Sequence, residues 1–137
     1  MPEIIGIDFG LKRTGIAISD SQQIIATPFK TVDSKELMAE LSTLINVRGI
    51  KEIVIGFPTQ LNGNDTDITQ NVRLLKDAIE KNFNSIKVYF QDERFTSKIA
   101  SQTIAKIGTS KQRKNKELID QVSATVFLQD FLNGKNA

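Results

Sequence analysis

Apolar residues along this chain recur in two rhythms, and the switches between them divide it into strands and helices. Ile4 to Asp8 is a short apolar run that closes before Gly10 and predicts a buried strand. Thr14 to Ser19 alternates around Ile16 and Ile18 and predicts a second. The link Phe9 to Arg13 is short, which makes the two strands antiparallel neighbours. Gln23 to Phe29 predicts a third strand, ending near Pro28. Asp33 then opens the first helix, with Glu36 three residues later in a capping-box arrangement. Leu37, Leu41, Leu44 and Ile45 follow at helical spacing, up to a stop at Gly49. Ile53 to Phe57 is again of strand type, closed by Gly56 and Pro58, and the segment Thr59 to Thr66 is a polar loop. Asp67 and Gln70 cap a second helix whose inner face is Val72, Leu75 and Ile79. Lys87 to Gln91 predicts another strand, Thr96 to Ile107 a short helix ended by Gly108, and a last helix runs from about Lys116 to Leu132.

An initial meander followed by alternating helices and strands predicts an α/β fold, a mixed sheet with helices on its faces. Ligands in such sheets collect at the carboxyl ends of parallel strands. Asp92-Glu93-Arg94 stands at one such end, after the Lys87 strand. No linker, repeat or low-complexity tract interrupts the chain, and 137 residues suit one compact domain over 1–137. A chain of this size buries roughly two-thirds of its unfolded surface, so it needs no disulfide or structural metal to fold.

Composition narrows the chemistry. The chain has no cysteine and no histidine. Thiol nucleophiles, zinc sites of the Cys/His kind and Ser-His-Asp triads are thereby excluded. Catalysis would rest on carboxylates, lysine, hydroxyls or a hard metal ion, and a cation held by Asp and Glu would be Mg2+ or Mn2+. The first ten residues carry Glu3 and Asp8 but no basic leader, and no apolar run approaches the ~20 residues of a membrane span. The expectation is a cytoplasmic protein with no membrane partner.

The formal charge of +2 conceals a local excess. Lys106, Lys111, Arg113, Lys114 and Lys116 fall in one short stretch with no acid among them until Glu117, and without those five the chain has 13 basic residues against 16 acidic ones. A basic loop on a slightly acidic body fits a phosphate-rich partner gripped at one place, and equally a solvated loop. Lys111, Arg113 and Lys114 are its candidate substrate-binding residues.

Three carboxylates stand out. Asp8 ends an otherwise apolar strand, where it either shapes the following turn or serves a site. Glu93 follows Val88-Tyr89-Phe90 beside Asp92 and Arg94, which fits a surface ion pair as well as a functional group. Asp120 shares a helix face with Ala124, Phe127 and Phe131, so this carboxylate continues an apolar stripe. An acid near the positive end of a helix dipole would explain its charge but not its inward side. Brought together at ~4 Å with an effective dielectric near 20, each pair of carboxylates would repel by about 4 kcal/mol. Divalent cations remove that cost, activate water and stabilise the charge that builds up on a phosphodiester.

Four segments resemble the motifs of one family, in that family's order and over nearly the whole chain. Ile7-Asp8-Phe9-Gly10-Leu11-Lys12-Arg13-Thr14-Gly15-Ile16-Ala17 resembles the first motif of the YqgF family, also called RuvX. Ile55-Gly56-Phe57-Pro58 with Asn62-Gly63 resembles the second, Asp92-Glu93-Arg94-Phe95-Thr96-Ser97 the third and Ile119-Asp120-Gln121-Val122-Ser123-Ala124 the last. Members of that family are described as Holliday junction resolvases and as nucleases of the small-subunit (16S) ribosomal RNA precursor. The resemblance implies a ribonuclease H-like fold with a five-stranded mixed sheet. It implies that Asp8, Glu93 and Asp120 are a catalytic triad holding Mg2+ or Mn2+. It also places Arg13 and Arg94 near the scissile phosphate or against the carboxylates, with Lys12, Thr96 and Ser97 as further neighbours. The implied function is maturation of the 5′ end of 16S rRNA, on nucleic acid that is free or inside ribosomal particles. Phe57 and Phe95 stand where the family often has leucine, and Glu117 where it often has glycine. Most of the phenylalanines fit core positions, and with the single Tyr89 they suggest no base-stacking surface.

Other readings remain open. An ATP-binding enzyme of the actin and sugar-kinase type also begins with an aspartate and a glycine-rich turn, but pairs two related domains, and this chain is too short for both. A non-catalytic RNA-binding factor for ribosome assembly or transcription could keep the same fold. A nuclease of branched DNA junctions would work as a two-fold homodimer, since paired nicks need paired sites, whereas RNA processing suits a monomer or a homodimer.

Overall fold

Ile4, Ile5, Gly6 and Ile7 are all buried, and a strand buried on both faces belongs in the middle of a sheet. The computed structural model places it there. It describes residues 1–58, 67–92 and 112–136, with the backbone alone at Asp67 and over 112–117. The elements are β1 (Ile4–Phe9), β2 (Arg13–Ser19), β3 (Ala26–Asp33), α1 (Leu37–Arg48), β4 (Glu52–Phe57), α2 (Asp67–Asn82), β5 (Lys87–Asp92) and α3 (Gln112–Lys135). The five strands form one sheet in the order β3-β2-β1-β4-β5. β1 is antiparallel to β2 and parallel to β4, and β4 is parallel to β5. The carboxyl ends of β1, β4 and β5 therefore share one edge of the sheet.

Alternation along β1 divides the core in two. Ile5 and Ile7 pack with Leu37, Leu41 and Leu44 of α1 and with Val72, Leu75 and Ile79 of α2. Ile4 packs on the other side with Ala17, Val54 and the α3 residues Ala124, Phe127, Leu128 and Leu132. Asp8, two residues beyond Gly6 and four beyond Ile4, lies on the α3 side. The predicted inner faces of both earlier helices are buried as expected, and Gly49 ends α1 in the left-handed conformation with its N–H on the Ile45 carbonyl.

Three boundaries differ from the sequence expectation. The third strand covers Ala26–Asp33 instead of Gln23–Phe29 and runs through Pro28. It is an edge strand, where a missing N–H is tolerated, and its register slips between Ile16 and Ala17 of the partner strand beside that proline. Asp33 makes no side-chain cap. Ser34–Glu36 forms a 3-10 turn and α1 begins only at Leu37, because Ser34 is committed to the β1–β2 turn. The last helix begins at Gln112, not near Lys116. The segment is free of Gly and Pro and rich in Gln, Lys and Arg, all good helix formers, so Arg113, Lys114 and Lys116 belong to the helix and not to a loop. The expected helix Thr96 to Ile107, the loop Thr59 to Thr66 and the Asp67 cap lie outside the described residues. Among the described residues, no helix is long and apolar enough to cross a membrane.

Candidate functional site

The site is assembled where α3 crosses the first hairpin. Asp8 of β1 is directly opposite Gly15 of β2, and Gly6 is opposite Ala17. Directly opposed residues in an antiparallel pair have Cα atoms about 4.5–5.5 Å apart. A Cβ placed on Gly15 would run into the Asp120 carbonyl and stand 2.8 Å from the Gln121 nitrogen. One placed on Gly6 would stand 2.9 Å from Leu128 Cβ and 3.2 Å from the Ala124 carbonyl. The helix backbone thus lies on bare strand at both glycines. Only glycine permits that approach, and the approach at Gly15 sets Asp120 beside Asp8 on one face of the sheet.

Asp120 is held by Arg13, whose Nε donates to Oδ2 at 3.1 Å. The pair is 39% and 25% exposed, so solvent screens it and its worth to stability is small. Its importance is geometric: it ties the start of β2 to the third turn of α3. Next to Asp120, Gln121 Nε2 donates to Thr31 Oγ1 at 3.0 Å and anchors the same turn to β3. The turn between β1 and β2 is itself braced. Ser34 Oγ donates to the Gly10 carbonyl at 2.5 Å, accepts from the buried Thr14 hydroxyl at 2.8 Å, and the Ser34 N–H donates to the Lys12 carbonyl at 2.9 Å. Lys12 and Arg13 are consequently carried on a turn fixed to the β3–α1 junction, with Lys12 exposed.

Of the candidate residues, the structure brings together Asp8, Arg13 and Asp120, with Lys12 adjacent. Glu93, Arg94, Thr96, Ser97 and Lys111 lie outside the described residues, as do the side chains of Arg113, Lys114 and Glu117. Asp92, to which Glu93 is bonded, is level with Phe57 at the carboxyl edge of the sheet. Asp120 stands in the third turn of α3, beyond the first turn to which a helix dipole's effect is confined. The dipole therefore does not explain it, and its seat on the hairpin does. Sequence reasoning missed three contributors: Gly15, Ser34 and Gln121. An isolated glycine inside a strand pattern is a known mark of close backbone approach, and Gly15 carried that signal. Nothing local marked Ser34 or Gln121, whose partners are 24 and 90 residues away.

The two aspartates present hard oxygen donors on one partly solvated face, a set suited to Mg2+ or Mn2+ and unsuited to soft metals. Comparisons with known proteins bear on the whole chain. Residues 2–134 match the family model described as "RuvX: Holliday junction resolvase". A protein of Flavobacterium psychrophilum is 42% identical over 136 residues, covering 98% of this chain and 99% of its own. One of Bacteroides fragilis is 38% identical over 136 residues with the same coverage. Both bear the name "Putative pre-16S rRNA nuclease". Among solved structures, Thermus thermophilus RuvC in complex with a Holliday junction substrate superposes with a TM-score of 0.60 at 11% identity, covering 100% of this chain and 97% of that one. That likeness establishes the fold as ribonuclease H-like. On the family match and the near-full-length relatives, the chain belongs to the RuvX family.

Proposed function

We propose that this protein is a metal-dependent endonuclease that processes the 5′ end of precursor 16S rRNA. The observation that carries the proposal is the seat of Asp120 on Gly15, directly across the hairpin from Asp8. Two carboxylates placed together on the sheet face favour cation binding, because a cation relieves their mutual repulsion. Glu93 is the third proposed ligand: one peptide bond joins it to Asp92, on a strand that ends at the same edge as β1.

When bound, Mg2+ or Mn2+ supplies an activated water and a counter-charge for the phosphodiester undergoing in-line attack. The chain's own residues set the stage for that chemistry. Asp8, Glu93 and Asp120 hold the cation. Arg13 fixes one Asp120 oxygen through its Nε, and the other donors of its guanidinium fork suit a phosphate at the site. Lys12, Arg94, Lys111, Arg113 and Lys114 position the phosphate backbone without reading base sequence. The reaction takes place in the cytoplasm, on RNA inside or released from ribosomal particles.

A second substrate has its own support, since the family description names the Holliday junction and the RuvC neighbour was solved with one. One assay separates the two. Precursor 16S rRNA, free and in ribosomal particles, and a four-way DNA junction are each incubated with wild type and Asp8→Asn in Mn2+ or Mg2+. The expected result is cleavage of the RNA near its mature 5′ end, lost in Asp8→Asn. Preference for the junction with paired nicks would replace RNA processing by resolution. Failure of the folded protein to cut any substrate would turn the reading to a non-catalytic binding factor.

A further inference from the structure

Val88 of β5 packs into the core with α1 and α2, so Tyr89, and with it Gln91, faces α3. There the Tyr89 ring meets Phe131 of α3, with centroids 5.2 Å apart and a tilt of 45°. The sequence suggests no base-stacking surface, yet the fold brings these two rings together beside an open cleft. The cleft has a volume of about 440 Å³ and is lined by the side chains of Glu52, Tyr89, Gln91, Asp130, Phe131 and Lys135. Strand register relates it to the carboxylates. Ile7 pairs with Ile55, and Ile55 with Phe90. The residues that follow, Asp8, Gly56 and Gln91, therefore form one row across β1, β4 and β5 on the α3 face. Two strand spacings, about 10 Å, separate Asp8 from Gln91, and Gly56 between them carries no side chain. The cleft thus begins on the row of Asp8 and leads away from it toward Tyr89.

The lining says what would fit. The two rings offer flat apolar surface of the kind on which a nucleobase stacks. Glu52 is already engaged, its Oε1 accepting from Lys135 Nζ at 2.8 Å. Among the described residues, the Asp130 carboxylate and the Gln91 side-chain amide meet no partner. An ionised carboxylate only accepts, whereas an amide both donates and accepts. Of the RNA bases, guanine alone sets two N–H donors side by side, at N1 and N2, to match one carboxylate. Its O6 and N7 accept from an amide. A phosphate would be repelled by Asp130 and Glu52, so the base enters and the backbone stays outside. We propose that this cleft binds a guanine of the RNA close to the scissile phosphate, stacked on Tyr89 and Phe131 and read by Asp130 and Gln91. It gives a sequence preference to a site whose basic residues read none. This rests on the nuclease reading above.

Tyr89 is the only tyrosine in the chain, so a protein labelled at tyrosine shows the ring signals of one residue by NMR. Short uridine oligomers with a central G, A, C or U are titrated into wild type in chelator, and their affinities are read by fluorescence anisotropy. The Tyr89 signals are expected to move with the G oligomer, which binds about tenfold tighter than the U oligomer. Asp130→Asn is expected to cut that preference to about twofold or less. Tyr89→Leu is expected to weaken binding of the G oligomer about tenfold, and Tyr89→Phe to restore it. Thermal melting of each variant across a Mn2+ titration checks that the fold and the carboxylates are intact, through a wild-type melting temperature and Mn2+ midpoint. The proposal is overturned, and the nuclease reading stands, if RNA binds and is cut while the Tyr89 signals stay fixed. The same holds if wild type shows no preference for G, or if Asp130→Asn keeps it in full. Tyr89 signals that move with an arginine-rich peptide but not with RNA overturn it in favour of a protein partner. If no RNA is bound or cut, both readings fall together.

Discussion

Gly15 and Gly49 show how one residue type meets two different demands. Gly49 has φ +67° at the end of α1 with nothing within 4 Å of a would-be Cβ. Alanine there meets only the backbone penalty, about 1–2 kcal/mol. Gly15 is required for space, since a methyl group would run into the Asp120 backbone. Backbone cannot move aside as a flexible side chain can, so Gly15→Ala must lift α3 from the hairpin. The expected outcome is a loss of about 1–3 kcal/mol in denaturant unfolding, accompanied by near-complete loss of cleavage. Gly49→Ala should keep its activity despite a comparable loss of stability. Asp20 offers a residue-scale pH test. Its carboxylate accepts the Ile25 and Ile24 N–H groups, which hold its pKa below the usual 3.8. A lowered pKa in the folded state means that the carboxylate's contribution is present above the unfolded value and is lost as pH falls through the folded one. In an NMR titration the Asp20 carboxyl should have a midpoint below 3.8, with the Ile24 and Ile25 amide shifts following it.

At the scale of elements, the site depends on how the β1–β2 turn is held. Ser34 ties that turn to the chain entering α1 through Gly10, Lys12 and Thr14. Ser34→Ala removes the side-chain bonds and leaves the buried Thr14 hydroxyl without its partner. A cost of about 1–3 kcal/mol is expected, with a fall in cleavage rate larger than the stability loss explains, because Arg13 is no longer aimed at Asp120. The elements themselves were readable from periodicity. The leucines of α1, the Val72-Leu75-Ile79 stripe and the apolar run Ile4 to Ile7 of β1 all occupy the faces that their spacing implied. Asp120 was readable as an inward-facing acid for the same reason. Less accessible was whatever depended on a distant partner. The capping box at Asp33 satisfied a local rule, yet Ser34 is committed to Gly10, so the chain makes a 3-10 turn first. Pro28 looked like a strand end because only the sheet's strand order shows that β3 lies on an edge. The pairing of Asp8 with Asp120 likewise follows from Gly15, where segments more than 100 residues apart meet.

Over the whole molecule, the placement of charge decides how a polyanion would approach. The five basic residues that offset an otherwise acidic chain cluster just before and within the first turns of α3, and Arg113 stands seven residues before Asp120 on that helix. Seven residues of helix span about 10 Å, so a strand gripped at Arg113 has its neighbouring phosphates within reach of the carboxylate site. Binding of this kind works through counterion release and therefore shows itself in salt dependence. With Lys111, Arg113 and Lys114 changed together to glutamine, binding of single-stranded precursor RNA should weaken. The plot of log affinity against log salt should flatten by roughly 0.7 for each phosphate no longer engaged, about 2 if all three residues take part. The melting temperature and the Mn2+ midpoint should stay near wild-type values, because the substitutions remove charge at the entrance to α3 and leave the core residues and the carboxylates in place. An unchanged slope would mean that the cluster is only solvated. The grip on the substrate would then have to come from Arg13 and Lys12, and the same titration repeated on Arg13→Gln would show it.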